Sequence, residues 1–125
     1  MKPAGMSVLL NVEDIDASVR FYEALGFRVA ERWDGKPGSA WRLLTSDGLR
    51  LMLNQTARAA SAHRRGRPDY SDVVLYLYVD DARACGEELR EAGHEGRAVG
   101  VQDYGLDEVW LRDPDGYHVV LASDA

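Results

Sequence analysis

Residues 111–125 read LRDPDGYHVVLASDA, and residues 43–54 read LLTSDGLRLMLN. In both, an aspartate-glycine turn separates an apolar run from an alternating one, the short-range signature of a β-hairpin. Outward from each hairpin toward the N-terminus, the chain repeats itself. SVLLNV alternates as a strand does, and the segment that starts within it, NVEDIDASVRFYEALGFRV (11–29), sets Val19, Phe21, Tyr22 and Leu25 on one broad helical face. Asp14 or Asp16 can cap that helix, and Gly26 can stop it. Residues 75–96, LYLYVDDARACGEELREAGHEG, follow the same plan.

The spacing of the matches is regular. Val12, Asp14 and Gly26 precede Val79, Asp81 and Gly93 by 67 residues; Leu43, Asp47, Gly48 and Leu53 precede Leu111, Asp115, Gly116 and Leu121 by 68. Pairs in two consistent registers indicate a duplicated βαβββ unit. The predicted fold is α+β. It is a single domain over 1–125 with βαβββ modules at 6–54 and 73–122, forming a curved mixed sheet around a concave cavity. Residues 55–72, QTARAASAHRRGRPDYSD, are polar and rich in small side chains, which reads as a linker or flap. Each module alone leaves one sheet face bare, and that face is where a ligand belongs.

Composition narrows the function. A 125-residue chain with 46% hydrophobic residues can bury one sizeable core. A net charge of −6 argues against a general nucleic-acid partner, because phosphate neutralisation needs surplus lysine and arginine. The basic stretch HRRGRP (63–68) reads as a solvated loop in preference to a lip guiding an anion. No apolar run is long enough to cross a bilayer, and the first residues turn acidic too soon for a secretory signal. A single cysteine excludes an internal disulfide framework, so a cytoplasmic location is expected. That residue, Cys85, reads as a buried, inert thiol. The sequon at Asn54 is set aside for want of a secretory signal.

The segments VEDIDASVRFYEALGF, VDDARACGEELREAG and YGLDEVWLRDPDGYHVVL together resemble the vicinal oxygen chelate superfamily, which includes glyoxalase I, extradiol dioxygenases, fosfomycin-resistance enzymes and bleomycin-resistance proteins. The resemblance implies paired βαβββ modules and a homodimer. In the enzymes of that family, histidine and glutamate ligands open the first strand of each module and lie on the strand after each hairpin. Carried onto this sequence, those positions are Ser7, Val74, Met52 and Val120. Aliphatic and thioether side chains cannot hold a hard or borderline divalent ion, so no metal and no cofactor are expected.

Strand alternation then lists what faces the cavity. Leu9, Asn11, Arg50, Met52, Tyr76, Tyr78, Trp110 and His118 are the candidate ligand-binding residues, with Asn54 and Val120 beside them. Trp41 is assigned to the core through its match with Val109, while Trp33 has no assigned role. His118 is read as a surface residue in slight preference to a base or ligand contact. His63 and His94 fall in predicted loops without metal-ligand spacing. The favoured function is a metal-free binding protein that sequesters a hydrophobic or aromatic compound such as an antibiotic, similar to the self-resistance members of the family. The alternatives are a glyoxalase-like lyase, a dioxygenase or a metal-free acid–base enzyme using His118, Tyr76 or Tyr78.

Overall fold

A computed structural model describes residues 1–125. Its elements run β1 (Val8–Val12), α1 (Ile15–Ala24), β2 (Arg28–Asp34), β3 (Ala40–Ser46), β4 (Leu49–Gln55), α2 (Ser61–Arg65), β5 (Val74–Tyr78), α3 (Ala82–Glu91), β6 (Gly96–Val101), β7 (Leu106–Arg112) and β8 (His118–Asp124). The strands form two four-stranded mixed sheets, ordered β1-β4-β3-β2 and β5-β8-β7-β6. In each, the first and last strands of the module pair in parallel and the other pairs are antiparallel. The chain divides into two compact units, Met1–Ser61 and Ala62–Ala125, each holding one βαβββ module. No helix is long and apolar enough to cross a membrane.

The local signals act as the sequence implies. Asp14, not Asp16, caps α1 by accepting from the backbone N–H groups of Asp16 and Ala17. Asp81 caps α3 by accepting from the Ala84 N–H. Each cap contributes about 1 kcal/mol. Gly26 and Gly93 adopt φ of 93° and 92°, the left-handed conformation that ends a helix. Beneath α1, Tyr22 sits edge-on to Phe21 and Phe27, with ring centroids 5.0 and 6.2 Å away.

Cross-strand pairing corrects the repeat register. Leu43 pairs with Met52, and Trp110 with Val120. Met52 and Val120 are equivalent, so Leu43 corresponds to Trp110, not to Leu111. The extra residue lies in the second turn. Asp47-Gly48 alone separates the paired Ser46 and Leu49, whereas Pro114-Asp115-Gly116 lies between Asp113 N–H and the Tyr117 carbonyl it bonds at 3.0 Å. A one-residue slip exchanges the two faces of a strand. Trp41 therefore pairs with Asn54 on the open face and corresponds to Glu108. Its assignment to the core, and its match with Val109, are overturned.

The segment between the modules also departs from expectation. Residues 61–65 are helical, so His63 lies on α2 and not in a loop. Arg64 donates to the Asp115 carbonyl at 3.0 Å and lies 3.8 Å over the Tyr117 ring. Arg65 donates to the Pro114 carbonyl at 2.7 Å. HRRGRP is thus no freely solvated loop: two of its arginines clamp the β7–β8 turn. A Cβ on Gly116 would stand 2.8 Å from the Arg65 backbone nitrogen, which fixes glycine there.

Candidate functional site

The open face of the second sheet carries three rows in register. Tyr78, Ala122 and Glu108 form one, Tyr76, Val120 and Trp110 the next, and Val74, His118 and Arg112 the third. Val109, Leu111, Val119 and Leu121 take the alternate positions and are buried. The rows follow from pleating alone. Alternation from Trp110 also puts Glu108, two residues earlier, on this face. Glu108 is not among the candidate ligand-binding residues given above.

Glu108 is the centre of the site. It is fully buried, at 0% exposure, and such a carboxylate persists only with hydrogen-bond donors around it. Trp110 Nε1 donates to its Oε1 at 2.9 Å, and the Tyr104 hydroxyl donates to Oε2 at 2.6 Å. The Tyr70 hydroxyl lies 3.4 Å from Oε1. Tyr76 closes the ring, with its hydroxyl 2.5 Å from that of Tyr70 and 3.2 Å from that of Tyr104. Three phenolic protons are shared among four oxygen-to-oxygen contacts. The Tyr104 phenol is pushed above the ordinary range, first by its bond to Glu108. Tyr70 is raised as well, mainly by burial and then by its bond to Tyr76.

Tyr70 comes from the segment read as linker or flap. Its backbone has φ 62°, a left-handed conformation that a bulky non-glycine residue rarely adopts. Such a residue costs of order 1–3 kcal/mol unless its surroundings hold it there. The holders flank it. Asp69 accepts from Arg112 Nη2 at 2.5 Å and faces Arg97 Nη2 at 3.4 Å. Beyond it, Ser71 accepts from Arg67 Nε at 3.3 Å. The Tyr70 ring meets Trp110 and His118 edge-on, with centroids 5.0 and 4.9 Å away.

His118 is buried at 4% exposure, not a surface residue. Its Nδ1 accepts the Tyr70 backbone N–H at 3.4 Å, while Nε2 is buried without a partner. Burial, before any neighbouring charge, lowers its pKa. An Nδ1 that accepts places the proton of the neutral ring on Nε2. Beside this ring, a pocket of about 210 Å³ is lined by Tyr70, Arg112, Tyr117 and His118, among others.

The remaining candidates lie elsewhere. Tyr78 is 73% exposed and stacks obliquely on Tyr76 at 6.2 Å. Leu9, Asn11 and Met52 lie on the open face of the first sheet, where Asn54 donates to Asn11 at 3.1 Å. Arg50 extends the Met52 row along β4 and is exposed. Trp33 pairs with Trp41 on that same face. Cys85 is half-buried, and its thiol is raised by desolvation first and then by nearby carboxylates.

The metal positions implied by the resemblance do not fit an ion. No three His, Cys, Asp or Glu side chains come together as a ligand set. Val74 and Val120 have no donor atom, and the Glu108 oxygens are taken up by a tryptophan N–H and tyrosine hydroxyls.

A family profile described as Glyoxalase/Bleomycin resistance protein/Dioxygenase superfamily matches residues 6–121. The chain belongs to this superfamily. Among solved structures it is similar to a bleomycin-binding protein complexed with bleomycin, at 22% identity, TM-score 0.72, covering 98% of this chain and 100% of that one. It is similar to TnmS3, an antibiotic-binding protein from Streptomyces sp. CB03234, at 21% identity, TM-score 0.73, over 100% and 99% of the chains. The glyoxalase I of Leishmania major is also similar, at 21% identity, TM-score 0.69, over 94% and 84%. At these identities the likeness shows the fold. No curated protein matches the chain.

Proposed function

We propose that this protein binds a small planar aromatic compound, such as an antibiotic, on the open face of its second module and does so without a metal ion. The observation that carries the reading is the buried Glu108 with Trp110, Tyr104, Tyr76 and Tyr70 arrayed around it. A carboxylate so placed holds Trp110, Tyr104 and Tyr70 directly and Tyr76 through the hydroxyls of the two tyrosines. Fixed aromatic walls with a few convergent polar groups grip planar molecules by stacking and hydrogen bonding. Relatives of the same fold that bind bleomycin or another antibiotic support the choice of ligand class. Tyr76, Tyr78, Trp110 and His118 are the contacts proposed on this face. Leu9, Asn11, Arg50 and Met52 are those proposed on the face of the first module. A cytoplasmic homodimer belongs to the same reading, supported by the unpaired edges that each sheet retains.

The test is a titration of the protein with a panel of aromatic antibiotics, followed by tryptophan fluorescence. Binding on this face quenches or shifts the emission, and Trp110→Phe removes the response. A panel that leaves emission unchanged counts against the reading, and so does a response that survives in the variant.

The hydroxyl ring favours one second reading, a metal-free acid–base enzyme, because linked phenols and a carboxylate can pass a proton along. In that case Glu108→Gln abolishes turnover while leaving ligand affinity largely intact. His118 is a poor base in this arrangement, with Nδ1 engaged and Nε2 enclosed.

A further inference from the structure

Tyr70 is an unusual wall. It is tethered through a strap outside the sheet, its backbone is in the left-handed region, and it is 44% exposed. Its ring nevertheless makes contacts of the kind an aromatic ligand makes, with neighbouring rings and with polar groups at its hydroxyl. Trp110 and His118 meet it edge-on, Tyr76 bonds its hydroxyl at 2.5 Å, and Glu108 faces that hydroxyl at 3.4 Å. We propose that Tyr70 is a built-in stand-in for the ligand, and that the site takes a phenolic compound whose ring and hydroxyl replace those of Tyr70. The proposal rests on the aromatic-binding reading above and names the ligand class.

Hydrogen-bond accounting selects the hydroxyl. Exchanging one phenol for another keeps the same number of donors and acceptors around Tyr76 and Glu108. An aromatic compound without a hydroxyl removes a partner from both, and a site built to bond a hydroxyl rejects the analogue lacking it. Tyr70 is also the replaceable member of the ring. Trp110, Tyr76 and Glu108 are strand residues and Tyr104 sits in the hydrogen-bonded turn between β6 and β7, whereas Asp69 and Ser71 stay anchored through arginines when the side chain between them swings out. Release of the left-handed backbone and the partial exposure of the ring both lower the cost of leaving. An occupied site weakens the apparent affinity of an outside ligand by the closed-to-open ratio.

The probes are p-cresol, which is the tyrosine side chain cut at Cβ, and toluene, the same molecule without the hydroxyl. Calorimetric titration compares the natural protein with Tyr70→Gly, a residue at ease with the positive φ. In parallel, ring-labelled tyrosine NMR follows Tyr70 in the natural protein. The expected result is p-cresol binding at least tenfold tighter in Tyr70→Gly than in the natural protein. Toluene binds at least tenfold more weakly than p-cresol, and the Tyr70 resonance moves to a solvent-exposed position as p-cresol saturates. Equal binding of the two probes overturns the proposal, as does p-cresol binding without movement of Tyr70. Failure of p-cresol while another aromatic compound still quenches Trp110 removes the phenol assignment alone. Failure of every aromatic compound removes the binding reading with it.

Discussion

Two rows of side chains, one on each sheet, occupy equivalent backbone and end in different chemistry. In the first module Trp33, Trp41, Asn54 and Asn11 stand in register across the open face. In the second, Gly100, Glu108, Ala122 and Tyr78 take those places. On the opposite faces Leu53 and Leu121 are equivalent and both are buried, although their strand partners differ, a buried Arg42 in the first module and Val109 in the second. The helix-facing rows hold the fold, and the open rows are free to carry function. A buried carboxylate with its own ring of donors sets the second module apart, and the proposed function rests on that difference.

The largest expected effect tests the shared part of that comparison. Leu53→Ala and Leu121→Ala each remove a fully enclosed leucine from under a helix, which costs about 2–5 kcal/mol. Urea unfolding should show losses of similar size in the two variants. A large loss in one and little in the other would break the claim that both modules rest on the same core.

The next effect is smaller and one-sided. Glu108→Ala leaves the Trp110 N–H and the Tyr104 hydroxyl without their acceptor, a loss of about 2 kcal/mol. In the first module, Asn54→Ala removes only an exposed amide pair, worth about 0.5 kcal/mol. Equilibrium unfolding with Trp110 emission as the probe separates them. A Glu108→Ala protein as stable as Asn54→Ala would mean that the hydroxyl ring does not organise the site.

Much of this architecture was legible in the residues. The two Asp-Gly turns, the capping aspartates and the helix-stopping glycines are local signals, and each acts within a few residues of its place. The spacing of the turns exposed the repeat and, with it, the strand faces that hold Tyr76, Trp110 and Met52. What failed depended on a count inside one turn. A single residue in Pro114-Asp115-Gly116 shifts β7 against β3 and turns Trp41 from core to open face. Glu108 was available by alternation from Trp110, but an acidic residue between apolar ones reads as solvent-facing until its donors are known. Two of those, Tyr104 and Tyr70, come from a turn and a strap whose paths no periodicity announces. The role of Arg64 and Arg65 was hidden for the same reason, since their partners lie some 50 residues away.

The smallest effect sharpens the comparison at one more equivalent pair. Arg50 in the first module is exposed, while its counterpart His118 is buried. Burial lowers the His118 pKa below its ordinary value of 6.5; Arg112 and Arg97 act in the same direction, and Asp69 and Glu108 oppose them. The unfolded chain therefore takes up a proton more readily than the folded one. Stability from this group is fully present above pH 6.5 and falls as the pH drops from there through the lowered value. One residue can contribute a slope of at most about 1.4 kcal/mol per pH unit. His118→Gln keeps a polar side chain but does not titrate, so its stability should be flatter across that acidic window. Parallel curves for the two would show that His118 titrates alike folded and unfolded, and that the strap bearing Tyr70 does not shield it.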